Sequence, residues 1–114
     1  MIGMLDRLRL DLIVTIIGRL RRRLYGLTLP AFMADVDEQD LTAYRLAVIG
    51  ETANKLAPEV RARHSDVPWA AMYTMRNIIS HDYPGIDMSR VFLTATGALD
   101  GLERACEAEL AAAA

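Results

Sequence analysis

"DEQDLTAYRLAVIGETANKLA", residues 37–57, carries two apolar stripes at helical spacing. Leu41, Tyr44, Val48 and Thr52 form one, and Leu46, Ile49, Ala53 and Leu56 form the other. Residues three and four apart share a helix face, so each stripe is one side of a helix. A helix that is apolar on two sides must be covered by more than one neighbour. The segment therefore reads as the central helix of an all-α protein, with Asp35 or Asp37 placed to cap it.

Its surroundings fit that reading. Leu5, Leu8, Leu12, Ile16, Leu20 and Leu24 predict an amphipathic helix over residues 3–25, stopped by Gly26. Thr28 or Pro30 then starts a short turn carrying Phe32. "APEVRARHSDVPW", residues 57–69, reads as a polar connector in which Ser65 or Asp66 caps a helix over 67–82 and His64 lies at the surface. Tyr83 precedes Pro84, which biases it out of the helical region. A last helix starts at Asp87 or Ser89, with Val91, Ala95, Leu99, Leu102 and Cys106 inward, and "AELAAAA" frays at its end. The expectation is one domain over 1–114, an antiparallel bundle of four main helices with a short extra turn.

Composition narrows the class. With 53% hydrophobic and 25% charged residues, the chain is globular and not disordered. An aromatic share of 6%, with 7 glycines and 4 prolines, argues against a β-sandwich. The lone Cys106 leaves no internal disulfide, which suits a reducing cytosol, and the chain offers no convincing metal-ligand set. No signal-peptide pattern is visible, and runs such as "LIVTIIG" are too short to span a bilayer, so a cytoplasmic, membrane-free protein is expected. Charge is uneven: residues 1–25 hold six arginines against two aspartates, although the whole chain is at −2. The run from Arg19 to Arg23 either solvates a helix C-terminus or contacts a polyanion or partner.

The stretch "RNIISHDYPG", residues 76–85, gathers a fixed cation, an imidazole and a phenol. Asn77 and His81 are four apart and share a face, whereas Arg76 and His81 are separated by about 140° around an ideal helix. They converge on one atom only if the last turn unwinds or a twofold-related copy supplies the opposing pair. The chemistry such a set suits is metal-free RNA cleavage. An imidazole takes the proton of a ribose 2′-OH, and a guanidinium holds the phosphate as charge builds on it. The plain alternative is a helix-end charge with a C-terminal cap.

"YRLAVIGETANKL" (44–56) and "VPWAAMYTMRNIISHDYPGID" (67–87) resemble the HepT-type family of HEPN-domain proteins, also known as DUF86. Ile49-Gly50-Glu51-Thr52, Pro68-Trp69 and the series Arg76, His81, Tyr83 stand at that family's motif positions, and "LDLI" and "FMAD" are in register. The resemblance covers roughly residues 8–105. It implies a homodimeric RNase, the toxin of a type VII-like toxin–antitoxin pair, acting on RNA such as tRNA or mRNA without a cofactor. The antitoxin would be an MNT-type nucleotidyltransferase that transfers AMP to the motif tyrosine. Carried over, Arg76 and His81 are the catalytic pair, Tyr83 is the modified residue, and Asn77 and Glu51 are supports, with Glu51 an ionic partner of Arg76. Thr52 departs from the family's usual alanine, and "GRLRRRL" is more basic than the family pattern. Two other readings stand beside this one: a non-catalytic helical module that binds a nucleotidyltransferase, and a peripheral membrane protein using the basic first helix.

Overall fold

The computed structural model describes residues 2–113, all in helices, turns and connectors, with no strand among them. Helix α1 spans Met4–Leu24, α2 Leu29–Met33, α3 Val36–Asn54, α4 Pro58–Ala62 and α5 Trp69–His81. A 3-10 turn, Tyr83–Gly85, precedes α6 (Met88–Gly97) and α7 (Asp100–Ala113). Helix α3 packs against α5, α1, α6 and α2, while α7 lies along α1. The central position expected of 37–57 is thus observed.

Local chemistry sets the boundaries. Gly26 has φ +74°, a left-handed conformation that ends α1 at little steric cost. Thr28 accepts from the Ala31 N–H to open α2, and Asp35 accepts from the Glu38 N–H at 3.1 Å to open α3. Asp87 caps α6 through the Ser89 N–H at 2.9 Å. The core is apolar and continuous: Leu10, Ile13, Ile17, Leu20, Ile49, Leu56 and Leu102 are almost fully buried. Phe32 meets Phe92 with ring centroids 4.9 Å apart. No helix of the described residues is long and apolar enough to cross a membrane.

Several expectations need correction. Of the expected α1 stripe, Ile16, Leu20 and Leu24 are buried, but Leu5, Leu8 and Leu12 are exposed, and Leu10, Ile13 and Ile17 are buried beside the first three. Helix α1 is apolar on two sides, and the side matching α3 and α7 wins. The fourth helix is two helices broken after Gly97, yet its five named inner residues are all buried. The connector 57–69 contains α4, which buries Val60, and α5 starts at Trp69 with no side-chain cap. Helix α7 continues to Ala113 and does not fray at residue 108; Ala114 lies outside the described residues.

His64 is not a free surface residue. Its Nε2 lies 2.8 Å from Glu109 Oε2, and Arg63 donates to the same carboxylate, tying α4 to α7. Those hydrogen bonds, Arg63 first, hold the Glu109 carboxyl down to about 2. Part of the basic run is structural too. Arg21 pairs with Asp100 and Glu103, and Arg23 with Glu38, whereas Arg19 and Arg22 form no ion pair among the described residues. Burial pushes the Cys106 thiol up to about 12, so it acts as a small core residue.

Candidate functional site

The site begins at the closest approach of α3 and α5. A Cβ built on Gly50 would lie 2.8 Å from the Met72 carbonyl oxygen and 2.9 Å from Arg76 Cβ. Only glycine lets the two helices meet there. One residue on, Glu51 faces Arg76, and Arg76 Nε sits 2.8 Å from Glu51 Oε2. The N–H does not aim at that oxygen, so the contact is ionic more than a directed hydrogen bond. Lys55 Nζ is 3.5 Å from the other Glu51 oxygen.

Arg76 is anchored a second time. Its Nη1 donates to Asn77 Oδ1 at 2.9 Å, and its guanidinium carbon lies 5.7 Å from the Tyr73 ring centroid. The planar cation is therefore held on three sides, while Nη2 has no protein partner among the described residues. Asn77 stands one helical turn before His81 on the same face. It connects the arginine to the imidazole's side of α5.

His81 itself is exposed and does not line the cleft that Arg76 lines. Helix α5 stays intact through it, with the Asp82 N–H donating to the Ile78 carbonyl at 2.9 Å. Unwinding before Pro84, one of the two routes to convergence, is not what this chain does. Within one chain Arg76 and His81 flank neighbouring faces.

That cleft, about 580 Å³, opens between α3 and the C-terminal half of α5. Ala47, Val48, Thr52 and Ile79 line it, with Tyr44, Asp40, Ser80 and Tyr83 completing its wall. Pro84 bends the chain into the 3-10 turn, which returns Tyr83 towards α3, where its hydroxyl donates to Asp40 Oδ1. Burial pushes the Tyr83 phenol up to about 12, and the Asp40 carboxylate adds to the shift. The hydroxyl is thus engaged by a carboxylate.

Asp40 was not singled out from sequence. It lies four residues before Tyr44 and seven before Ala47, on the α3 face that meets α5, and that periodicity was its only available signal. Among the described residues, no three His, Cys, Asp or Glu side chains gather as metal ligands would.

Comparison with known proteins agrees with this architecture. The family described as Ribonuclease HepT-like matches residues 13–109. A protein of Caldanaerobacter subterraneus subsp. tengcongensis named "Putative RNase TTE0752" is 29% identical over 82 residues, covering 72% of this chain and 73% of that one. A "Probable ribonuclease HepT" of Thermococcus cleftensis is 29% identical over 63 residues, 55% of this chain and 57% of its own. "Gamma-glutamylcyclotransferase and putative RNase MJ0434" of Methanocaldococcus jannaschii is 34% identical over 50 residues, 44% of this chain but only 22% of that protein. No solved structure matches the chain. With the match spanning α3, α5 and the seam that holds Arg76, the chain belongs to the Ribonuclease HepT-like family.

Proposed function

We propose that the protein is a metal-independent ribonuclease in which Arg76 binds the scissile phosphate and His81 moves the proton. One observation carries the reading: Arg76 is fixed by Glu51 and Asn77 with Nη2 left free at the edge of a cleft. A guanidinium held in this way presents a pre-oriented donor to a phosphate oxygen as charge develops there. His81 accepts the proton of the ribose 2′-OH, the O2′–P bond forms and the P–O5′ bond breaks. The departing 5′-oxygen takes a proton from water. Family membership and the names of the relatives support RNA as the substrate.

A homodimer completes the site in this reading. The separation of Arg76 and His81 on an unbroken α5 motivates it, as does Ile78, which is 43% exposed close to His81 on the same helix. The wider role is that of a cytoplasmic toxin neutralised by an MNT-type nucleotidyltransferase. Tyr83 oxygen attacks the α-phosphorus of ATP, pyrophosphate leaves, and the phenolic proton passes to a base. Each diester-linked AMP adds about one negative charge beside Arg76, opposing an incoming RNA phosphate. A phenol is protonated at neutral pH, and burial, with the Asp40 contact adding to it, holds the Tyr83 proton more tightly, so the nucleotidyltransferase must draw the hydroxyl off Asp40 or supply the base.

The test is cleavage of a defined RNA by the purified protein. Activity should be lost in Arg76→Ala and in His81→Ala, and with a 2′-deoxy nucleotide at the cut site. Cleavage of that deoxy substrate at the normal rate would remove the proposed role of His81. A non-catalytic module that binds a nucleotidyltransferase is the second reading, favoured by the absence of His81 from the Arg76 cleft. Wild-type protein that binds such a partner but cuts no RNA would establish it.

A further inference from the structure

The cleft beside Arg76 is unlike a phosphate channel. Its walls are apolar, from Ala47, Val48 and Ile79, and Arg76 is its only cationic lining residue among the described residues. Two carboxylates, Asp40 and Glu51, stand eleven residues apart on α3, which separates them by about 16 Å along the helix axis. Glu51 is committed to Arg76 at one end. At the other end Asp40 is not saturated: Oδ1 takes the Tyr83 hydroxyl, and Oδ2 has no partner among the described residues.

These features select a ligand. Carboxylates repel a phosphate, which leaves the phosphate at Arg76 and favours a neutral, flat group inside the cleft. Tyr44 is 66% exposed at the rim and offers a stacking surface, as aromatic residues do for single-stranded nucleic acid. An ionised carboxylate only accepts hydrogen bonds, at up to about four lone-pair sites. The base it suits best presents two adjacent N–H donors and no acceptor between them. Guanine does so through N1–H and N2–H. Adenine and cytosine set one amino group beside a ring-nitrogen acceptor, and uracil flanks its single N–H with carbonyls.

We propose that this cleft is a base-reading subsite that takes guanine next to the phosphate held by Arg76. Asp40 accepts from N1–H and N2–H, Tyr44 stacks on the base, and the Tyr83 hydroxyl fixes the carboxylate's orientation. The assignment deepens the ribonuclease reading and rests on it for the substrate class, but the pocket can be tested without any cleavage.

The experiment titrates wild-type protein with the 5′-monophosphates of guanosine, adenosine, cytidine and uridine, following the methyl resonances of Val48 and Ile79. Guanosine monophosphate should bind about tenfold more tightly than the others, the discrimination expected of one bidentate base contact. Asp40→Asn, which replaces one acceptor with a donor, should erase the preference while keeping the wild-type melting temperature. Ala47→Leu, which fills the cleft, should weaken all four ligands. Equal affinities, a guanine preference that survives Asp40→Asn, or no saturable binding (as when a second copy fills the cleft) each overturn the proposal. RNAs differing at one base form the second arm, with cutting beside guanine expected. If no RNA is cut at all, the ribonuclease reading fails, and the nucleotide titration still decides the subsite.

Discussion

Replacing Gly50 with alanine adds one methyl group where α3 and α5 are closest. Contacts of 2.8 Å to the Met72 carbonyl oxygen and 2.9 Å to Arg76 Cβ fall well inside ordinary van der Waals range. Both atoms are tied to the α5 backbone, so rotating a flexible side-chain tip cannot relieve them. The helix must shift by roughly half an ångström, and such overpacking costs about 1–3 kcal/mol. With two contacts to relieve, the upper end applies. Alanine returns about 1 kcal/mol through better helix propensity, which leaves about 2 kcal/mol of net destabilisation. For a domain of this size that is a fall in melting temperature of about 8 °C. The same shift moves Arg76 away from Glu51, so RNA cleavage should also fall, by about tenfold for a displacement of roughly half an ångström. Thermal unfolding and single-turnover cleavage, both measured below the variant's melting temperature, check the two parts. A Gly50→Ala protein as stable and as active as wild type would refute the close-approach argument.

Other perturbations test separate links. Glu51→Gln removes the charge that orients Arg76 while preserving its shape, and should slow cleavage about tenfold with the fold intact in circular dichroism. Glu109 has its carboxyl held down to about 2 by Arg63 and His64, so its contribution is present above the unfolded value of 4.5 and lost as pH falls through 2. Denaturant unfolding should lose on the order of 2 kcal/mol over that window, allowing for screening at exposed Arg63, and Glu109→Gln should flatten the loss. Tyr83→Phe should still cut RNA, because the phenol takes no part in the proposed proton transfers, but with a weaker guanine preference, since Asp40 loses the hydroxyl that orients it. Incubated with an MNT-type nucleotidyltransferase and ATP, it should show no AMP adduct by intact mass and no inhibition; an unchanged adduct would move the modification elsewhere.

Much of this was legible in the chain, and the failures have physical causes. The two-faced pattern of α3 placed it at the centre, and Leu46, Ile49, Ala53 and Leu56 are indeed buried. Its second stripe behaves differently: Tyr44 is exposed and Val48 half-buried, because that side floors the cleft. For α1, spacing found the buried Ile16, Leu20 and Leu24 but carried the stripe on through exposed Leu5, Leu8 and Leu12, because the face turned to α3 and α7 is set by those neighbours. The break after Gly97 was hidden because Val91, Ala95, Leu99, Leu102 and Cys106 keep one inward spacing across it. The Arg76–Glu51 contact was anticipated from the motif's pattern. The Asp40–Tyr83 contact was not, since it joins residues 43 apart through a turn whose direction no local signal specifies.

In the proposed homodimer, Arg76 of one copy and His81 of the other act on a single RNA phosphate. Mixing Arg76→Ala protein with His81→Ala protein, after dissociation and reassociation, tests it most directly. Each variant alone should be inactive. A mixed dimer pairs the intact Arg76 of one chain with the intact His81 of the other, giving one working site out of two. With random pairing half of the dimers are mixed, so the mixture should recover about a quarter of wild-type cleavage. A mixture as inactive as its components, beside an active wild type, would contradict the shared site.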